Sequence, residues 1–243
     1  VMTLHGEPVS VSFIKLLNLS CHVTAQNIWG RSAVTVLPFL MACHIGSRPI
    51  WLVRLPHSAD SALAWRQAHE SWPPPPHIRF SEQALSSKGC QFADALVEFV
   101  KKEAPNAVAF TCTHRRGIEV VERLGAYRVR AALNPQERGI CNGFPAAKIE
   151  SQYPEVWADP VHTRFPGGES LGDLMQRLTL TLLEVEQEMR PVIMVAPLSV
   201  LQVIYCYYAA RPVAEAFRVK IPLHTVVQLR PDGANFHEQS LAL

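Results

Sequence analysis

Guanidinium, imidazole and carboxylic acid groups are what phosphoryl transfer needs, and this chain places them beside apolar runs of strand length. Arg54 closes Ile50-Trp51-Leu52-Val53, and His57 follows shortly after. His114, Arg115 and Arg116 follow the apolar run 107–112, with Glu137 and Arg164 further on. An arginine fork matches phosphate oxygens bidentately. A neutral imidazole keeps a lone pair near pH 7 with which to attack phosphorus, and a carboxylic acid can protonate a leaving alkoxide. A phosphatase built on these groups would use His57 or His114 as nucleophile and Glu137 as acid. Against His57 stands Pro56, which redirects the backbone just before it, because in-line attack tolerates only small misplacements of the reacting atom.

Each of these residues also has a plainer role. Arg54 either pairs with a carboxylate, Glu137 or Asp60, or binds an anion. Arg115 and Arg116 open a helix expected over 117–124, where free N–H groups favour anions; the alternative is a solvated arginine pair. His224 reads as a structural residue at a strand edge. Gly167-Gly168 reads as a turn, since no strand-to-helix glycine fingerprint surrounds it.

The elements that must carry these side chains form an alternating pattern. Strand-length apolar runs occur at 50–54, 107–112, 129–133, 192–196 and 226–229. The first four lack polar alternation, as expected of strands covered on both faces. Helical periodicity fills 83–104 (Phe92, Leu96, Phe99, Val100) and 170–189 (Leu171, Leu174, Leu178, Leu182, Val185). The pattern predicts an α/β three-layer sandwich, a mostly parallel central sheet with helices on both faces. In such sheets ligands sit beyond the carboxyl ends of the strands, which places the site at Arg54 and just after Cys112 and Ala196.

Composition narrows the function. A net charge of +2, with basic residues scattered, points away from nucleic acid. The apolar stretch 33–43 is shorter than the roughly 20 residues a membrane helix needs and contains Pro38, so no membrane partner is expected. It reads as a buried helix. Six cysteines without a CxxC pair point to free thiols in the cytoplasm, with no metal site. Val1 is not a natural start, and no charged-then-apolar signal precedes the first strand, so the chain reads as a piece of a longer one. Trp72 and the prolines 73–76 read as a stiff surface loop. The same prolines with Trp65 and Trp72 would be the partner surface of a pure protein-interaction module. Residues 9–17 read as a strand without its partners, whose exposed edge predicts self-association into a homodimer.

Several ordered motifs add a resemblance. Arg54-Leu55-Pro56-His57-Ser58 resembles the Arg-His-Gly-Glu-Ser strand end of the histidine phosphatases. Ala132-Leu133-Asn134, Gly139-Ile140-Cys141-Asn142-Gly143, Tyr153-Pro154-Glu155, Arg164-Phe165-Pro166-Gly167-Gly168-Glu169-Ser170, the run 173–178 and Pro222-Leu223-His224-Thr225-Val226 follow in order. Together they resemble the bisphosphatase half of the bifunctional 6-phosphofructo-2-kinase/fructose-2,6-bisphosphatase family, which has the histidine phosphatase (phosphoglycerate mutase-like) fold. The resemblance implies that 1–48 is the C-terminal remnant of a kinase domain with its linker, and 49–243 the bisphosphatase-like domain.

By the same resemblance, the nucleophilic histidine falls on Leu55, the second histidine on Pro197 and the acid on Pro135, with Glu137 two residues downstream. The phosphate-clamping arginines are kept at Arg54 and Arg116, and Arg164 stays in its motif as a sugar-phosphate candidate. The asparagine that follows the first motif falls near Ser61, and the sugar-binding glutamine and arginine fall on Leu198 and Gln202. The implied domain is a pseudophosphatase for scaffolding or sugar-phosphate sensing in fructose 2,6-bisphosphate metabolism. It would need no cofactor, and its partners would be a phosphorylated sugar or free phosphate and the missing kinase domain of the same chain.

Overall fold

A computed structural model describes residues 13–17, 22–26, 48–58, 83–209, 211–232 and 235–243. The run 33–43, Asp60, Ser61, Trp65, Trp72 and the prolines 73–76 lie outside the described residues. Strand β1 (Phe13–Leu17) pairs antiparallel with β2 (His22–Gln26), so the strand expected to stand alone has a local partner four residues away in the chain. Among the described residues no helix is long and apolar enough to cross a membrane.

The main body is a six-stranded sheet in the order β5-β4-β6-β3-β7-β8. Its strands are β3 (Ile50–Arg54), β4 (Val108–Thr111), β5 (Tyr127–Val129), β6 (Val192–Ala196), β7 (Thr225–Asp232) and β8 (Asn235–Ala242). Strands β5, β4, β6 and β3 run parallel, and the β7–β8 hairpin joins antiparallel to β3. The central strands have no polar alternation because helices cover both faces, and every residue of β4 and β6 is buried.

Register assigns the faces. In parallel pairs Trp51 lies opposite Ile193, and Val53 and Thr111 lie opposite Val195, so these residues share one face with Leu55. Helix α1 (Ser87–Glu103) packs there through Phe99, whose ring meets Trp51 edge-on at 6.3 Å. Helix α2 (Arg115–Val121) approaches so closely that a Cβ on Gly117 would stand 2.5 Å from Thr111 Oγ1 and 3.1 Å from Leu55 Cδ2. After the short helices α3 (Ala146–Gln152) and α4 (Pro154–Ala158), α5 (Leu171–Gln187) and α6 (Leu198–Tyr208) complete the α-helices of the described residues. Helix α5 serves the opposite face, where Arg128 on β5 lies over Phe110 and reaches Glu184. It opens with a capping box, in which the Ser170 hydroxyl accepts from Asp173 N and the Asp173 carboxylate accepts from Ser170 N. Helix α1 starts at Ser87, later than its apolar period predicts, because Ser86 caps it by accepting from Gly89 N.

One expected strand is displaced. The run 129–133 is not a strand: pairing ends at Val129, and Ala131–Leu133 forms a 3-10 turn. The arginines explain the break. Arg130 reaches both oxygens of Glu184 on α5, at 2.7 and 2.5 Å, and the Ala132 carbonyl accepts from Arg177 at 2.6 Å rather than from a neighbouring strand.

The ion pairs that tie β5 to α5 predict acid sensitivity. Arg190, then Arg128, hold the Glu188 carboxyl at about 2 against an ordinary 4.5, and Arg130, then Arg128, lower that of Glu184. Depressed carboxyl values stabilise the fold above the unfolded value, and the gain is lost as pH falls through the folded one. The urea midpoint is therefore expected to drop between about pH 4.5 and about pH 2, and to drop less in the Glu184→Gln, Glu188→Gln double variant. Parallel curves for the two proteins would contradict this.

Candidate functional site

Four chain segments meet at the carboxyl ends of the parallel strands. Leu55 N donates to Ala196 O at 3.0 Å, continuing the β3–β6 ladder one step, so Leu55 and Pro197 are neighbours at the tips of adjacent strands. Both are buried, Leu55 to 3 % exposure. Pro135 is carried over the same rim by the segment that follows β5. Asn134 Oδ1 accepts from Thr113 N and Oγ1, each at 2.9 Å, beyond the end of β4. Gln136 N donates to Ser199 Oγ at 3.2 Å, in the first turn of α6. Leu55 and Pro197 thus stand at adjacent strand tips, with Pro135 in a segment tied to the end of β4 and the first turn of α6, and none of the three offers a lone pair for attack or an acidic proton.

The arginines behave differently. Arg54 leaves the tip of β3 half-buried, and among the described residues its guanidinium has no hydrogen bond and no carboxylate. Arg116, in the first turn of α2, turns inward and donates to Pro56 O at 3.4 Å, while its Nε is buried with no partner. The two lie close enough to repel. Burial lowers the Arg116 pKa first, and the Arg54 charge lowers it further, against an opposing pull from Cys112. Burial alone lowers that of Arg54. Both cations are thus desolvated, and among the described residues no carboxylate faces either of them. Arg115 points to solvent and pairs with Glu119 at 2.7 Å.

The other candidates are committed elsewhere. Glu137 is exposed, and its carboxylate accepts from Gly139 N at 3.1 Å and from the Asn142 amide rather than from Arg54. Asp60, the other carboxylate considered for Arg54, lies outside the described residues. The Arg164 fork holds Asp173 at 2.7 and 2.6 Å with 68 % of the arginine side chain exposed, bracing the start of α5. His57 Nδ1 faces Ser86 Oγ at 3.0 Å at the cap of α1. His224 adopts φ 57 just before β7, an interior strand rather than an edge, and its ring lies 5.2 Å from that of Phe92. Gln202 is buried and donates to Val219 O at 2.9 Å. Gly167-Gly168 forms the expected turn, with Gly167 at φ 71. His114 sits beside Arg116 at the cap of α2, within reach of its charge.

Two arginines escaped the sequence reading. Arg177 on α5 forks onto Glu169 at 2.8 and 2.9 Å and donates to the carbonyls of Ala132, Asn134 and Pro135. Arg138 lies over the Phe165 ring at 5.5 Å with its pKa lowered by burial. Their motifs gave no local signal, because both roles depend on segments distant in the chain.

Known proteins resemble this chain in sequence and in fold. The chain is 28% identical over 239 residues to the 6-phosphofructo-2-kinase/fructose-2,6-bisphosphatase of Gallus gallus, covering 96% of this chain and 48% of that protein. To the Caenorhabditis elegans protein of the same name it is 29% identical over 234 residues, covering 93% and 48%. The chain therefore spans about half the length of these relatives. Among solved structures, the alpha-ribazole phosphatase of Shigella flexneri superposes with a TM-score of 0.60 at 12% identity, covering 80% of this chain and 96% of that one. A mycobacterial glucosyl-3-phosphoglycerate phosphatase gives a TM-score of 0.57 at 20% identity, covering 81% and 98%. At these identities the likeness speaks for the fold. The model of the histidine phosphatase superfamily (branch 1) matches residues 78–242, most of the chain, and the chain belongs to that superfamily.

Proposed function

We propose that this is a fructose-2,6-bisphosphatase-like domain that binds a phosphoryl anion without hydrolysing it. The observation that carries the reading is the Arg54–Arg116 couple beside Leu55 and Pro197, which no carboxylate among the described residues pairs. Attack on phosphorus needs a nucleophile about 3–3.5 Å away, and at the two strand tips the side chains are hydrocarbon. Retained cations and lost reacting groups are what a sensor of phosphorylated sugar needs, and the relatives' names point to fructose 2,6-bisphosphate as the ligand to try first. In a longer chain with a kinase domain, the domain would report on that sugar phosphate to its neighbour.

The test has two arms on the same folded sample. With fructose 2,6-bisphosphate, the expected result is no phosphate release and no trapped phosphohistidine. Sulfate titration by calorimetry is expected to show binding that weakens at least about tenfold in Arg54→Ala and in Arg116→Ala, as loss of a charge-assisted contact requires. Turnover, or a phosphohistidine that disappears in His57→Gln or His114→Gln, would overturn the claim of no hydrolysis. Absence of sulfate binding would overturn the claim of an anion site.

A further inference from the structure

His114 is only 9 % exposed, and its Nδ1 is buried without a hydrogen-bond partner. A buried imidazole nitrogen with no partner is uncommon and calls for a reason. Its surroundings supply one. Among the described residues the groups that act on it or touch it are cationic or neutral: the Arg116 charge on α2, which itself feels that of Arg54 at the tip of β3, and the Cys112 thiol after β4, which bonds to the His114 backbone. No described carboxylate joins them, since Glu119 is held by Arg115 and by Leu85 N, and Glu137 by its own loop.

We propose that His114 is a third, conditional cation of the Arg54–Arg116 site, taking up a proton when an anion binds there. This rests on the anion-site reading above and adds how the site is regulated. In the empty site the ring is kept neutral, since a proton would place a third positive charge among desolvated cations. Burial first, and then the charge of Arg116, depress its pKa accordingly. A bound dianion reverses the balance: it offsets both guanidiniums and rewards a charge on the imidazole. By linkage, affinity then rises as pH falls through the imidazole range. No bond to the anion is made or broken, and the proton comes from solvent.

Sulfate is the probe, because its charge is constant over that range. Titrations of the whole chain are expected to show affinity rising roughly tenfold from about pH 8 to about pH 5.5, which matches a shift of about one pKa unit on binding. In two buffers of different ionisation enthalpy, the heats are expected to reveal proton uptake. His114→Gln should still bind at pH 8 but lose the slope, whereas His57→Gln should keep it. A flat wild-type profile, a slope that survives in His114→Gln, or a slope abolished by His57→Gln would overturn the proposal while leaving the anion site intact. No sulfate binding at any pH would remove the site itself, and with it this inference. If His114→Gln fails to fold, wild-type protein with its imidazoles observed by NMR decides the matter, since only one ring should gain a proton on adding sulfate at constant pH, and any ring but that of His114 overturns the proposal.

Discussion

Gly139→Val is expected to destabilise the domain by about 4 kcal/mol, enough to leave a marginal fold largely unfolded. Gly139 adopts φ 52, a conformation that β-branched residues almost never enter. Its position adds a second penalty. A Cβ there would fall well inside contact with Pro166 O, 2.6 Å from Gly167 C and 2.8 Å from Gly167 O, all backbone atoms that cannot swing aside. The approach is reciprocal, since a Cβ on Gly168 would stand 2.5 Å from Glu137 O. Hydrogen bonds lock the two segments, Ile140 N to Pro166 O at 3.1 Å and Glu169 N to Glu137 O at 2.7 Å. Conformational strain of about 1–3 kcal/mol therefore adds to an overpacking cost of about 1–3 kcal/mol. Gly125 provides the control, with φ 106 but nothing within 4 Å of its would-be Cβ. Urea unfolding of Gly125→Val should show strain alone, and equal losses in the two variants would mean that the close approach contributes nothing. The clamp matters for the site because it fixes the loop that carries Glu137 just after Pro135.

The fold was readable where burial is complete. The runs 50–54 and 192–196 became strands with those limits, because a strand covered on both faces must be apolar throughout. Strand β5 was misplaced because it is an edge of three residues, and its Tyr127 and Arg128, with Arg130 just beyond, serve the surface and α5 rather than a core. The site was readable in identity but not in geometry. That Leu55 and Pro197 stand at adjacent strand tips, with Pro135 in a segment tied to the same rim, follows from the β3–β6–β4 register and from the Thr113–Asn134 and Gln136–Ser199 ties, none of which has a local sequence signature. That no described carboxylate pairs Arg54 or Arg116, while Arg164 is paired, depends on which carboxylates the fold delivers. It delivers Asp173 to Arg164 through a capping box and, among the described residues, none to the strand tips. His114 was readable as a histidine near the site but its burial was not, since only tertiary packing covers its ring.

The loop over the site has a second anchor, and removing it should cost nearly as much. Arg177→Met is expected to lower stability by about 3 kcal/mol, through loss of a bidentate, partly buried ion pair with Glu169 and of donors to the carbonyls of Ala132, Asn134 and Pro135. Methionine keeps the apolar stem, so the change isolates the guanidinium. A charge-assisted hydrogen bond contributes about 1.5–3 kcal/mol net, and the sum is discounted because 26% of the Arg177 side chain reaches solvent. The remainder comes from what is left behind, since Glu169 keeps its contact with Glu137 N at 3.0 Å but loses its cation. Arg177→Lys should recover less than half of the loss, because an ammonium cannot span Glu169 and the Ala132 carbonyl as a planar fork does. Full recovery with lysine would show that charge alone matters. Sulfate affinity separates the two anchoring roles in the domain. Arg54 and Arg116 reach the pocket from β3 and α2, so folded Arg177→Met should bind sulfate as the wild type does. A parallel fall in affinity would mean instead that the carbonyl-rich loop at Pro135 helps shape the anion site, and that Arg177 acts on binding through it.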